Sequence, residues 1–244
     1  MKKVLVYDWP IRLFHFVFAG LFIGAFSIAE FVDDESALFS YHMIMGIIMV
    51  FVVFLRLIWG LIGSHYGKFS SFELHPNKLL CYFKDMLSSQ KKGEPGHNPA
   101  SSWAAIIMMA LTIGLGVSGY MMSQDIYKDT VEDVHELFAN GFLIVVIAHI
   151  AGIILHTLRH KDAIGMSMVH GKKSRIKENQ GISSSHGGTG ILFLLLVGLF
   201  ASQVVKNYDS TTRNLNLFGA TIQLGESESK NHGDSHDDED NDDD

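Results

Sequence analysis

Long apolar runs alternate with short polar interruptions along this chain, and the apolar runs set its architecture. Stretches at about 11–30, 40–62, 101–122, 134–158 and 188–206 hold almost no charge. About 20 helical residues cross the roughly 30 Å hydrocarbon core of a bilayer, so each stretch predicts one transmembrane helix. The fifth reaches that length only when the "GGTG" ahead of "ILFLLLVGLFASQVV" is counted. The first is expected to be retained, because the run after Lys2 and Lys3 is too long for a signal peptide and no small-residue cleavage site follows it. The fold class expected is an all-α membrane protein: a four-helix bundle with a fifth transmembrane helix added.

Composition fits a membrane protein, since 48% of the 244 residues are hydrophobic and only 18% are charged. The distribution of lysine and arginine predicts the orientation, because short basic loops stay on the cytoplasmic side. Lys2, Lys3 and Arg12 precede or open the first span; Lys68, Lys78, Lys84, Lys91 and Lys92 follow the second; Arg159, Lys161, Lys172, Lys173, Arg175 and Lys177 follow the fourth. The other two connections are acidic, with Asp33, Asp34 and Glu35 in one and Asp125, Asp129, Glu132 and Asp133 around Lys128 in the other. The expected protein is therefore a multi-pass membrane protein with a cytoplasmic N-terminus and a C-terminus on the outer side. Residues 1–178 form the four-helix domain and 179–206 a linker with the fifth helix. Residues 207–244, ending "HGDSHDDEDNDDD", are expected to be an acidic, disordered periplasmic tail. The lone cysteine, Cys81, cannot form an intrachain disulfide and gives no evidence for a thiolate metal site. No glycine-rich phosphate loop, no c-type haem attachment sequence and no basic nucleic-acid surface is present.

Four histidines lie in or beside these spans at two depths. His135 and His149 of the fourth span are fourteen residues apart, two heptads on one helix face and roughly 21 Å in depth at 1.5 Å per residue. His15 lies near the inner end of the first span, and His42 opens the second from outside. Polar groups inside a membrane are expensive and normally face the bundle interior for a functional reason. Neutral imidazole ligates iron, and two histidines from facing helices fill both axial positions of a haem. The pairs expected are His42 with His135 outside and His15 with His149 inside. Gly20, Gly24, Gly46, Gly114, Gly116, Gly119 and Gly152 allow close approach of a macrocycle or a helix. The competing chemistry for the same histidines is a proton relay in a small transporter.

The motifs "VYDWPIRLFHF", "YHMIMG", "RLIWGLIGSHYGKFSSF", "GHNP", "VHELFANGFLIVVIAHIAGIILHTLRHKD" and "MVHGKK" together resemble the bacterial cytochrome b561 and nickel-hydrogenase b-type cytochrome family from about residue 4 to about residue 173. The resemblance implies a four-helix bundle holding two b haems through His15, His42, His135 and His149. It also implies electron transfer between a periplasmic redox partner, such as a c-type cytochrome or an oxidoreductase subunit, and the quinone pool or another carrier. A haem-bearing anchor subunit of a larger oxidoreductase is a further reading. The fifth span and the tail fall outside the resemblance.

Other polar residues carry smaller roles. His156, one heptad beyond His149, is the alternative inner ligand or a propionate or quinone neighbour. Arg12 and Arg56 at inner helix ends are candidates to pair with haem propionates, because guanidinium matches a carboxylate in a two-pronged geometry. His65, His75, His97, His160, His170 and His186 are expected in solvent or among headgroups, and the methionines are expected to pack. His232 and His236 belong to the solvated tail.

Overall fold

The computed structural model describes residues 3–87, 98–160, 164–173 and 177–225. His97 and the tail beyond Gly225, with His232 and His236, lie outside the described residues. Seven helices stand among those described: α1 (Trp9–Phe31), α2 (Ser40–Ile62), α3 (Pro76–Leu87), α4 (Pro99–Ser123), α5 (Lys128–His160), α6 (Met166–His170) and α7 (Gly187–Lys206). Short strands β1 (Val4–Leu5), β2 (Lys172–Lys173), β3 (Tyr208–Asp209), β4 (Asn214–Leu217) and β5 (Ala220–Gln223) complete the fold. Helices α1, α2, α4, α5 and α7 are long and apolar enough to cross a membrane, so the protein is the expected all-α membrane bundle.

Local chemistry starts these helices where the sequence allows. Asp8 caps α1, its Oδ1 accepting from Ile11 N at 2.9 Å, with Pro10 in the first turn. Asn98 does the same for α4 through Ser101 N at 2.7 Å, ahead of Pro99. A proline at the first helical position loses no hydrogen bond, and a side-chain acceptor satisfies an otherwise orphaned amide.

Connectivity gives the bundle a basic end and an acidic end. At the basic end β1 pairs antiparallel with β2, and the amides of Val6 and Tyr7 donate to the Gly171 carbonyl at 2.8 and 3.0 Å. Gly171 has φ +75°, and a Cβ there would lie 2.6 Å from the Tyr7 carbonyl oxygen, so only glycine fits this staple. Arg12 is committed to the same junction: its Nε donates to the Met168 carbonyl at 3.1 Å, its Nη2 to Val169, and its guanidinium lies 4.2 Å over the Trp9 ring.

Helix α1 packs along α2 and α4 along α5, and α2 against α4 joins the two pairs. Helix α7 lies against α1 and α2. The outward residues of α5, among them Ile144, Ile147, Ile154 and Leu158, are exposed and form a lipid-facing surface.

The sequence placed the start of a disordered tail at Asn207; residues 208–223 instead form a β3–β4–β5 antiparallel meander at the acidic end. Leu215 and Leu224 are fully buried in the main core with Val204, and Ser40 Oγ donates to the Leu224 carbonyl. Two inward leucines were enough to dock a segment whose overall polarity concealed them. In the β3–β4 turn, the Thr211 amide and Thr212 hydroxyl bond the exposed Asp209 carboxylate at 2.9 and 3.0 Å and hold it below its ordinary titration range.

Candidate haem sites in the bundle

The first pair forms at the acidic end. His42 stands in the first turn of α2 and His135 in the second turn of α5, both half-buried, with ring centroids 6.3 Å apart and planes at 68°. An imidazole nitrogen stands roughly 2 Å from its metal and the ring centre about 1 Å further back, so rings on opposite sides of one ion have centroids roughly 6 Å apart. The observed separation fits a single ion between them.

Hydrogen bonding fixes which nitrogen each ring offers. His42 Nδ1 lies 2.9 Å from the Ala25 carbonyl; a carbonyl only accepts, so Nδ1 carries the hydrogen and Nε2 is bare. His135 Nδ1 lies 2.8 Å from Ser118 Oγ. That hydroxyl donates its one hydrogen to the Gly114 carbonyl at 2.9 Å, shared with Leu115 at 3.2 Å, so it accepts from His135 Nδ1–H. Both rings present Nε2. Ligating histidines are commonly held this way, the far N–H donating to a carbonyl or another acceptor. Phe39 stacks on His42 at 5.3 Å.

The other expected pair, His15 of α1 and His149 of α5, stands toward the basic end, both side chains half-buried. His15 Nδ1 is buried without a hydrogen-bond partner. Arg56 lies fourteen residues along α2 from His42, and hence at this level. It is 4% exposed, and Phe14, Phe69 and Phe72 surround its guanidinium at 5.8, 4.9 and 5.8 Å. Asp8 lies within electrostatic range, but that carboxylate caps α1 and accepts from Trp59 Nε1 at 3.1 Å. Nη1 of Arg56 remains buried without a partner. A buried guanidinium with an unsatisfied donor is costly until an anion meets it.

At Gly46, one turn from His42, and at Gly152, one turn from His149, an added Cβ would meet no atom within 4 Å, as at Gly20 of α1. Gly114 and Gly116 serve helix packing instead, against Phe138 and Val50. Among the described residues no three His, Cys, Asp or Glu gather as a metal cage, so each pair is a two-ligand set. That is the donor set haem needs, its porphyrin supplying the other ligands. The residues present fit the group.

The remaining candidates separate. His156 meets α3, where Tyr82 Oη lies 3.3 Å from its Nδ1. Arg12 is occupied at the α6 junction, which takes it away from the propionate role. His186, expected in solvent, packs edge-on to Trp59 at 5.4 Å, and His170 Nδ1 is buried. Met49 and Met109 pack in the core, as expected of gap-filling thioethers. Sequence reasoning missed Ser118 and the Ala25 carbonyl, because both contacts cross between helices and leave no spacing signature.

No curated protein and no solved structure matches the chain. A family model described as prokaryotic cytochrome b561 matches residues 6–171, from the start of the β1–α1 junction to the end of α6 and including all four histidines. The chain therefore belongs to the prokaryotic cytochrome b561 family, as a multi-pass membrane b-type cytochrome that transfers electrons.

Proposed function

We propose that the protein is a diheme cytochrome that carries electrons across a bacterial inner membrane, between a periplasmic redox partner and the quinone pool or another carrier. The observation that carries this reading is the His42–His135 pair, 6.3 Å between centroids with both Nδ1 atoms tethered and both Nε2 atoms bare. When bound, haem b supplies a reversible one-electron iron couple. His42 and His135 would hold one iron and His15 and His149 the other, leaving no open position for a substrate. Arg56, whose buried Nη1 has no partner, would receive a propionate of the inner group.

Depth supports transfer across the membrane rather than along one face, since His135 and His149 are separated by fourteen residues of continuous helix, roughly 21 Å. The basic end faces the cytoplasm, as the lysine and arginine distribution requires. On the opposite side the chain after Gly225 carries ten Asp and Glu in 19 residues, a field that steers a basic periplasmic partner and weakens with salt. The test is the reduced-minus-oxidised spectrum and haem content of the purified protein. Two low-spin b haems per chain are expected; a colourless protein, or one haem per chain, refutes the reading.

A further inference from the structure

The heptad spacing that aligns the α5 histidines also places Phe142 on their face, seven residues from His135 and seven from His149. Met49 has the same relation on α2, seven residues from His42 and seven from Arg56. At 1.5 Å per residue, both side chains lie midway, roughly 10 Å from either level. They are 1% and 5% exposed. The Phe142 ring stands 4.6 Å from Phe22 and 6.0 Å from Phe18, and Val52 and Met109 are buried in the same cluster.

Among the described residues, the buried side chains of this layer are apolar apart from one hydroxyl. Thr112 of α4, 1% exposed at this depth, donates its hydroxyl back to the Met108 carbonyl at 2.8 Å. Backbone amides there are held within their helices. A cavity needs polar partners to hold water, and an apolar packed layer stays dry. Polar side chains thus stand above the layer, at His42, His135 and Ser118, and below it, at His15, His149 and Arg56, with an apolar partition between. Protons cross only along connected hydrogen-bonding groups; an electron tunnels through packed apolar matter without them.

We propose that Phe142, Met49, Phe18 and Phe22 form a septum that insulates the two histidine levels from each other for protons while letting electrons through. The proposal rests on the two-haem reading of the pairs. An electron passing between the two levels would then cross with no proton, so turnover would move net charge across the membrane. The septum also separates this role from a histidine proton relay, which needs a polar connection at this depth.

The experiment uses holoprotein in sealed vesicles loaded with ferricyanide, whose reduction takes up no proton, and given an impermeant external reductant. Wild type is expected to develop an interior-negative potential on a voltage dye while a trapped pH dye stays constant. Proton entry in step with electrons would overturn the septum. Phe142→Ser and Met49→Gln, which add a polar group to the layer, are expected to dissipate an imposed pH gradient several-fold faster than wild type, and Phe142→Leu to hold it. Haem-replete Ser and Gln variants as tight as wild type would also overturn the proposal. If neither variant assembles, the wild-type dye measurement decides. Absence of haem from wild type would instead sink the two-haem reading itself, so the two failures are distinguishable.

Discussion

Replacing Ser118 by alanine removes one oxygen and leaves both helices intact, which isolates the effect of a single hydrogen bond on the outer haem. Ser118 accepts from His135 Nδ1–H at 2.8 Å and passes its own hydrogen to Gly114. That acceptor draws the N–H hydrogen away and makes the ring more electron-rich at Nε2, which favours ferric over ferrous iron. Without it, ferrous iron gains. A hydrogen bond of this kind contributes about 0.5–1.5 kcal/mol. For a one-electron couple, where tenfold corresponds to 59 mV, this amounts to roughly 20–60 mV. The midpoint potential of the outer haem should therefore rise by that amount in Ser118→Ala, and its affinity for the protein should weaken about 10- to 100-fold, the usual loss when an outer-shell partner is removed. The inner haem, roughly 21 Å away along α5, should stay within error. A potentiometric titration followed in the visible bands, with low-temperature resonance to separate the two low-spin signals, makes the measurement. Equal shifts in both haems, or a fall in potential at the outer one, would refute the reasoning.

The remaining expectations are shorter. His149→Ala should abolish the inner bis-histidine signal, whereas His156→Ala, which breaks a contact with Tyr82, should only shift its potential; the reverse result moves the ligand one heptad. Arg56→Gln should lower the inner haem potential by tens of millivolts, because a cation near the iron favours the reduced form; no shift would detach Arg56 from the site. Asp209, whose folded titration point is lowered, stabilises its turn above the ordinary carboxylate range, and that contribution disappears as pH falls through the lower folded value. Amide exchange at Thr211 should therefore accelerate only in acid. Truncation after Gly225 should leave both haems intact and slow reaction with a basic c-type cytochrome only at low salt, whereas truncation after Lys206 should lower thermal stability and broaden the outer haem signal.

The transmembrane helices were legible because each is long and nearly uncharged; the second was placed at 40–62 and α2 runs Ser40–Ile62. The relation of His135 to His149 was legible too, since their heptad spacing is a property of one helix, α5. Side chains met across helices were not. Ser118 reaches His135 from seventeen residues earlier, and Ala25 contributes only a carbonyl, which any residue at position 25 would carry. Arg12 and Arg56 look alike in the sequence, both at inner helix ends; they differ because α6 offers Arg12 two carbonyls while Phe69 and Phe72 fold over Arg56. Phe142 was hidden for a further reason. In a bilayer the outward residues are as apolar as the inward ones, so α5 has no polar face to reveal which phenylalanine points to the core.

The β3–β4–β5 meander lies beyond the family match and is still part of the bundle's core. Full burial of a leucine is worth about 1.5–3 kcal/mol, and both Leu215 and Leu224 are fully buried. The place where they dock matters as much as the amount. The residue preceding α2, Phe39, gives that helix no side-chain cap, and its first turn carries His42. Ser40 bonds the Leu224 carbonyl and Tyr41 meets the Tyr208 ring at 6.4 Å, so the meander grips the turn immediately before His42. Gln124, beyond α4, bonds the Thr221 carbonyl at 3.3 Å, which ties the α4–α5 corner, and through it the start of the His135 helix, to the same element. A frayed first turn would release His42 from Ala25. The C-terminal addition thus holds together the two helix starts that carry His42 and His135.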